Sequence, residues 1–223
     1  MKKKERSLWI LSGSMLILFV VWTILVQIVD VRPIGCEQTM IGFAAFNIGF
    51  HKMMGVHMLL YTLTDWLGLV PFLVSMVLGA VGVIQLVKRR SLWKVDYDLT
   101  LLGIYYVIVI FCYLIFERYP INYRPILIEG RLEASYPSST TLLVLSVMPT
   151  LIFQINRRWN EAIEKKVMSI LIYIFTVLMV VGRLVAGVHW LTDIIGSVIL
   201  SMGLFSGYKA GVISADKKAL RKR

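Results

Sequence analysis

The sequence predicts an all-α integral membrane protein, a bundle of about six transmembrane helices with both termini in the cytoplasm. Three observations carry that prediction. Mean hydropathy is +0.76, and only 17% of the 223 residues are charged, against about 25% in a soluble globular domain. The apolar residues run in blocks of roughly twenty, the length that crosses about 30 Å of hydrocarbon at about 1.5 Å per residue. The basic residues fall between those blocks rather than along one polar stripe. The formal net charge of +11 therefore reads as a topology signal and not as a surface for nucleic acid. One polytopic domain over residues 1–223 follows.

The first apolar block covers 8–29, behind four basic residues at the N-terminus. It is longer than a signal-peptide core and offers no small-x-small cleavage site near Gln27 to Asp30, so it reads as an uncleaved span. Residues 31–66 are mixed, and the Phe-, Met- and Gly-rich stretch 41–58 suits a short helix at the membrane surface. The second span is 67–87, closed by Lys88, Arg89 and Arg90, and the third is 99–116. A polar stretch containing Pro120, Pro125 and Gly130 leads into the fourth span, 138–155. The fifth is 167–181 and the sixth 191–212. Trp9, Trp93, Trp159 and Trp190 fall near the predicted interfaces, where aromatic anchors collect. Gly79, Gly82, Gly187, Gly196 and Gly203 suit close helix packing. Cys36 and Cys112 fit no metal spacing, and Cys112 lies inside an apolar block as a small hydrophobe would.

Orientation follows from the basic residues. Eighteen of the 24 Lys and Arg lie on one side of the six spans. The other side holds Arg32, Lys52, Arg118, Arg124, Arg131 and Arg183. The positive-inside rule puts the richer side, with both termini, in the cytoplasm. Arg118, Arg124, Arg131 and Arg183 then share the outer face with His189 and Asp193, each near the end of a span. Ionisable groups there are costly to desolvate and tend to be functional.

Three strings carry chemistry. Arg183-x5-His189-x3-Asp193 places a carboxylate four residues after an imidazole, close enough on a helix to hold one ring nitrogen and free the other as a nucleophile or base. Arg183 adds a planar fork for phosphate oxygens. The same string also reads as a helix-terminal His–Asp cap with Arg183 reaching lipid headgroups. Tyr123-Arg124-Pro125 follows the third span and alone is a commonplace membrane-edge sequence. Tyr136-Pro137-Ser138-Ser139-Thr140-Thr141 opens the fourth span as a cap. A helix N-terminus with free N–H groups also binds anions.

Together these strings resemble the type 2 phosphatidic acid phosphatase family, whose motifs run Lys-x6-Arg-Pro, Pro-Ser-Gly-His and Ser-Arg-x5-His-x3-Asp. The likeness covers roughly residues 99–205 and implies a membrane phosphatase acting on lipid-linked phosphate at the outer leaflet of the plasma membrane. By that likeness His189 is the nucleophile that forms a phosphohistidine, Asp193 orients it, and Arg124 and Arg183 hold the phosphoryl oxygens. Ser138, Ser139, Thr140 and the neighbouring N–H groups complete the phosphate cradle. The chemistry asks for no metal or cofactor. Three positions depart from the motifs: Glu117 replaces the lysine, with Arg118 adjacent as a substitute; Gly182 replaces the serine; and Thr140 replaces the acid histidine. A threonine cannot protonate a leaving alkoxide near neutral pH, and such help is worth about 10²–10⁴-fold. Lipid pyrophosphates, such as a polyprenyl pyrophosphate, are therefore the expected substrates. His51 or His57 is a candidate replacement acid. The alternative is a catalytically impaired relative that binds lipid phosphates or a partner without turnover. A lipid carrier would show broken helices or repeated halves, and neither is visible.

Overall fold

The computed structural model describes residues 2–221. Its helices are α1 (Lys2–Ile28), α2 (Ala44–Met54), α3 (Met58–Leu67), α4 (Leu69–Arg89), α5 (Tyr97–Arg118), α6 (Ser139–Arg158), α7 (Ala162–Val185) and α8 (Leu191–Arg221). A short antiparallel ladder joins β1 (Arg32–Pro33) to β2 (Met40–Ile41), pairing Arg32 with Ile41. Six stretches are long and apolar enough to cross a bilayer: Lys3–Ile28, Met58–Arg89, Tyr97–Arg118, Ser139–Arg158, Ala162–Val185 and Leu191–Leu220. The protein is an all-α, multi-pass membrane bundle.

The apolar stretches differ most from the expected spans at the second, which begins at Met58 instead of residue 67, and at the last, which runs to Leu220 instead of residue 212. Thr62, Thr64, Asp65 and Gly68 look like a polar approach to the membrane, yet α3 and α4 form one helical track. The break between them at Gly68 has a local cause. Pro71 has no N–H to give the Leu67 carbonyl, and the chain tightens so that the Gly68 N–H reaches both Thr64 and Asp65 carbonyls at 3.0 Å.

Burial separates core helices from lipid-facing ones. In the apolar windows of α8 and α6, 56% and 50% of residues are buried, against 6% in the α3–α4 track. α1, α5 and α6 pack on α8, and α3 lies on α7. With no hydrophobic drive between helices in lipid, packing and interhelical hydrogen bonds hold the bundle. Tyr105 donates to the Ser146 carbonyl at 2.9 Å, Tyr106 and Thr150 share a hydrogen bond at 2.7 Å, and Gln154 donates to the Tyr208 hydroxyl at 2.8 Å. At the end of the bundle where α5 begins and α6 ends, buried Asp98 lies 3.3 Å from Arg157 and 3.0 Å from Arg158. Arg157 also meets Asp216 of α8 at 2.9 Å.

Several single-residue expectations change. Trp190 is buried, and its indole donates to the Tyr123 carbonyl at 2.7 Å, so it packs the interior instead of anchoring at headgroups. Gly79 and Gly82 face open space, while Gly187, Gly196 and Gly203 are closely approached. Both cysteines are free thiols. The short helix expected within 41–58 is α2, tied to the start of α8 by Asn47, whose amide donates to Thr192 Oγ1 at 3.0 Å.

Candidate active site

The site is assembled where α5 and α7 end and α6 and α8 begin. After α5 the chain folds back on itself, with Tyr123 bridged to Ala134 and Ile128 to Arg131. The Arg124 N–H donates to the Glu133 carbonyl at 3.0 Å and the Ser135 N–H to the Asn122 carbonyl at 2.9 Å. This small ladder turns Arg124 inward, where it is buried. Arg183 occupies the last turn of α7 and is 1% exposed.

Between α7 and α8 the turn 186–190 carries His189. Its shape depends on Gly187, which has φ +69 and would, with a Cβ, overlap the Gly55 carbonyl oxygen. Only glycine suits both demands. The α2–α3 linker is thereby pressed onto this turn, and the His57 N–H donates to the Ala186 carbonyl at 3.0 Å.

The imidazole is fully determined by its neighbours. Nδ1 stands 3.2 Å from the Ser135 carbonyl, which can only accept, so Nδ1 carries the proton. Nε2 is then bare, and Arg183 Nη2 donates to it at 3.2 Å. Burial first, then the charges of Arg124 and Arg183, hold the His189 pKa well below the usual histidine range. The ring is neutral, with a lone pair facing a guanidinium.

Both guanidinium groups stand over the ring of Tyr61, Arg183 at 5.0 Å and Arg124 at 5.8 Å from its centroid. Cation–π attraction fixes their planes. Their counter-charges are incomplete. Glu133 lies 3.0 Å from Arg124 Nε and Asp65 lies 3.7 Å from Arg183 Nη1, and both carboxylates are partly exposed. Among the described residues, Arg124 Nε and Nη1 and Arg183 Nε have no hydrogen-bond partner. A buried donor left unmatched costs about 1–3 kcal/mol, more when charged. Arg124 Nη1 and Arg183 Nε, which no carboxylate meets, suit the oxygens of an anion.

The other expected residues are placed differently. Asp193 does not grip the ring, because His189 lies in the turn before α8 and not on the helix with it. Its Oδ2 stands 3.8 Å from Nδ1, beyond hydrogen-bond reach. Instead its carboxylate accepts from the Trp190 N–H at 3.0 Å and the Asn122 amide at 2.9 Å, tying the turn to the Arg124 loop. Ser138 is buried before α6, and its hydroxyl donates to Thr141 Oγ1 at 3.0 Å. Its N–H reaches the Asp193 carbonyl at 3.3 Å. Ser139 lines a narrow crevice with Tyr113, Phe116 and Glu117. Arg118 is exposed and stacks on Tyr119 at 5.4 Å, so it does not replace the missing lysine beside His189. Thr140 is half-buried against the Gly68 backbone. His51 packs edge-on against Trp190 at 5.6 Å, and burial lowers its pKa. His57 bonds the Met54 carbonyl at 2.9 Å. Tyr61, Asp65, Asn122 and the Ser135 carbonyl were not foreseen. The four-residue spacing of Tyr61 and Asp65 was the one visible signal.

The structure is an all-α membrane bundle that gathers two buried guanidinium groups and a buried histidine at one site, a donor set whose chemistry suits an oxyanion. The sequence matches the PAP2 superfamily over residues 39–212, and the chain belongs to that superfamily. The crystal structure of the first transmembrane PAP2 type phosphatidylglycerolphosphate phosphatase from Bacillus subtilis shares the fold, with a TM-score of 0.58 at 17% identity over 93% of this chain and 96% of that one. Comparison with curated protein sequences finds no match.

Proposed function

We propose that this protein is a membrane phosphatase that hydrolyses lipid-linked phosphate through a phosphohistidine at His189. One observation carries the reading: bare Nε2 of His189 meets Arg183, one of two buried guanidinium groups that each keep a buried donor without a hydrogen-bond acceptor. Family membership and fold support a phosphatase of lipids in a bilayer.

In this mechanism the phosphoryl group enters between Arg124 and Arg183. Its oxygens are better acceptors than imidazole, so the Arg183 fork leaves Nε2 for the substrate. Nε2 attacks phosphorus and the bond to the leaving oxygen breaks. Charge on the equatorial oxygens is held by donors already in place, where most of the catalysis of phosphoryl transfer lies. The Ser135 carbonyl stabilises the charge arriving on the ring through Nδ1–H, and Asp193 holds the turn that presents it. Water then releases the phosphate.

Thr140 selects the substrate. With no acid at that position, a leaving phosphate departs more readily than a leaving alkoxide, so lipid pyrophosphates outrun phosphatidic acid. The excess of Lys and Arg on the side opposite His189 supports an extracytoplasmic site in the plasma membrane. Thr140 is also the one feature that favours the second reading, a relative that binds lipid phosphates without turnover. Purified protein assayed for phosphate release across lipid monophosphates and pyrophosphates decides between them. The proposal expects release that favours pyrophosphates and disappears in His189→Ala. Binding without release in the wild type favours the second reading.

A further inference from the structure

The two motif departures at positions 140 and 182 face the same strip of chain. A Cβ on Gly68 would lie 3.5 Å from the Thr140 methyl group. A Cβ on Gly182 would lie 2.7 Å from Thr64 Cγ2. Where the family motifs have histidine and serine, this chain carries smaller side chains, and the strip from Thr64 to Gly68 lies against both positions. The strip it presents is Tyr61, Thr64, Asp65 and Gly68, spaced as one helical face.

Asp65 is the carboxylate of that strip. Its Oδ1 stands 3.7 Å from Arg183 Nη1, while Arg183 Nη2 is 3.2 Å from His189 Nε2. One guanidinium therefore donates to the nucleophile through Nη2 and to Thr64 Oγ1 at 3.5 Å through Nη1, with the Asp65 carboxylate in ion-pair range of that same nitrogen. Tyr61 underlies that guanidinium and fixes its plane. The Asp65 side chain is 59% exposed, so it is not sealed within the protein.

We infer that Asp65 is the general base of the second half-reaction, activating the water that discharges the phosphohistidine in place of the histidine absent at position 140. This rests on the phosphohistidine reading of His189. With the phosphoryl group on Nε2, the attacking water stands about 3 Å beyond phosphorus, and the carboxylate on the far terminal nitrogen of the same guanidinium is Asp65. The water oxygen bonds to phosphorus, the phosphorus–Nε2 bond breaks, and its electron pair returns to the ring. The water proton passes to the Asp65 carboxylate and from there to solvent. The first half-reaction takes no proton from Asp65, because the lipid monophosphate expelled from a pyrophosphate departs as a stable anion. Formation of the intermediate is thus independent of Asp65, and its discharge is not.

The test uses full-length protein in detergent and a short-chain polyprenyl pyrophosphate labelled in its terminal phosphate, quenched on the millisecond scale. Asp65→Asn keeps the size and polarity of the side chain. The expected result is a burst of label on histidine, stable to alkali and lost in acid, approaching one per chain. Its formation rate stays within about 3-fold of wild type while steady-state release falls about 10²-fold or more. Asp65→Glu restores part of the discharge rate. If Asp65 only steadies Arg183, formation slows together with discharge and no burst accumulates, which overturns the inference but leaves the nucleophile intact. Unchanged steady-state release in Asp65→Asn also overturns it. Absence of labelled histidine in every variant, with release surviving in His189→Ala, removes the phosphohistidine reading and this inference with it.

Discussion

A neutral buried histidine leaves a signature in stability as well as in chemistry. The His189 pKa is depressed well below 6.5 by burial and two neighbouring guanidinium groups. In the unfolded chain the same ring titrates at about 6.5. As pH falls through that value, the unfolded state takes up a proton that the folded state refuses, so stability falls with pH. The slope is at most about 1.4 kcal/mol per pH unit, and it vanishes above the unfolded value. His189→Gln removes the titration and keeps a polar side chain. Thermal unfolding in detergent between pH 7.5 and 5.5 should therefore show the wild type losing more stability than the variant. Parallel losses would mean that the ring is not held neutral. A second residue-scale prediction concerns Arg183. Lysine keeps the charge but not the fork that meets Nε2 and the phosphoryl oxygens. Phosphate release by Arg183→Lys is expected to fall about 10²–10³-fold, the usual cost of losing a donor aimed at developing charge.

At the scale of elements, the close approach of α3 to α7 decides what position 182 can hold. Restoring the family serine there looks like a repair, but the structure predicts damage. Its Cβ would meet Thr64 Cγ2 at 2.7 Å, and Thr64 is β-branched, buried and stiff. Overpacking of this kind costs about 1–3 kcal/mol and displaces the helix that carries Tyr61 and Asp65. Gly182→Ser should therefore lower both melting temperature and phosphate release, and adding Thr64→Ala should recover much of each. A gain from Gly182→Ser alone would show that α3 is not seated as described. This contact also explains what the sequence hid. Arg183, His189 and Asp193 were legible because the chain places them within eleven residues and the motif spacing names them. Arg124 was legible only through the likeness of Arg124-Pro125 to a separate family motif. Tyr61 and Asp65 were not, since their approach to Arg183 depends on where α3 crosses α7, and a polar helix broken before Pro71 looks like surface chain. The expected His189–Asp193 bond failed for a related reason. A four-residue spacing implies contact on a helix, and the turn at Gly187 instead delivers Nδ1 to the Ser135 carbonyl.

For the whole molecule, the two ends of the bundle carry different electrostatics. At one end the buried guanidinium groups are short of partners. At the other, Arg157 and Arg158 are matched by Asp98, Asp96 and Asp216. That second end also carries the loops richest in Lys and Arg, the regions that resist translocation. The bundle should then sit with the Asp98 cluster in the cytoplasm and the His189 hollow outside. Single cysteines read this directly in a Cys36→Ser, Cys112→Ser background, which removes both native thiols. Glu129 lies in the loop between α5 and α6, and Lys94 in the loop between α4 and α5. In intact cells a membrane-impermeant maleimide should label Glu129→Cys at once and Lys94→Cys only after permeabilisation. The reverse pattern would place the hollow in the cytoplasm, and the substrate would then have to be a lipid phosphate of the inner leaflet.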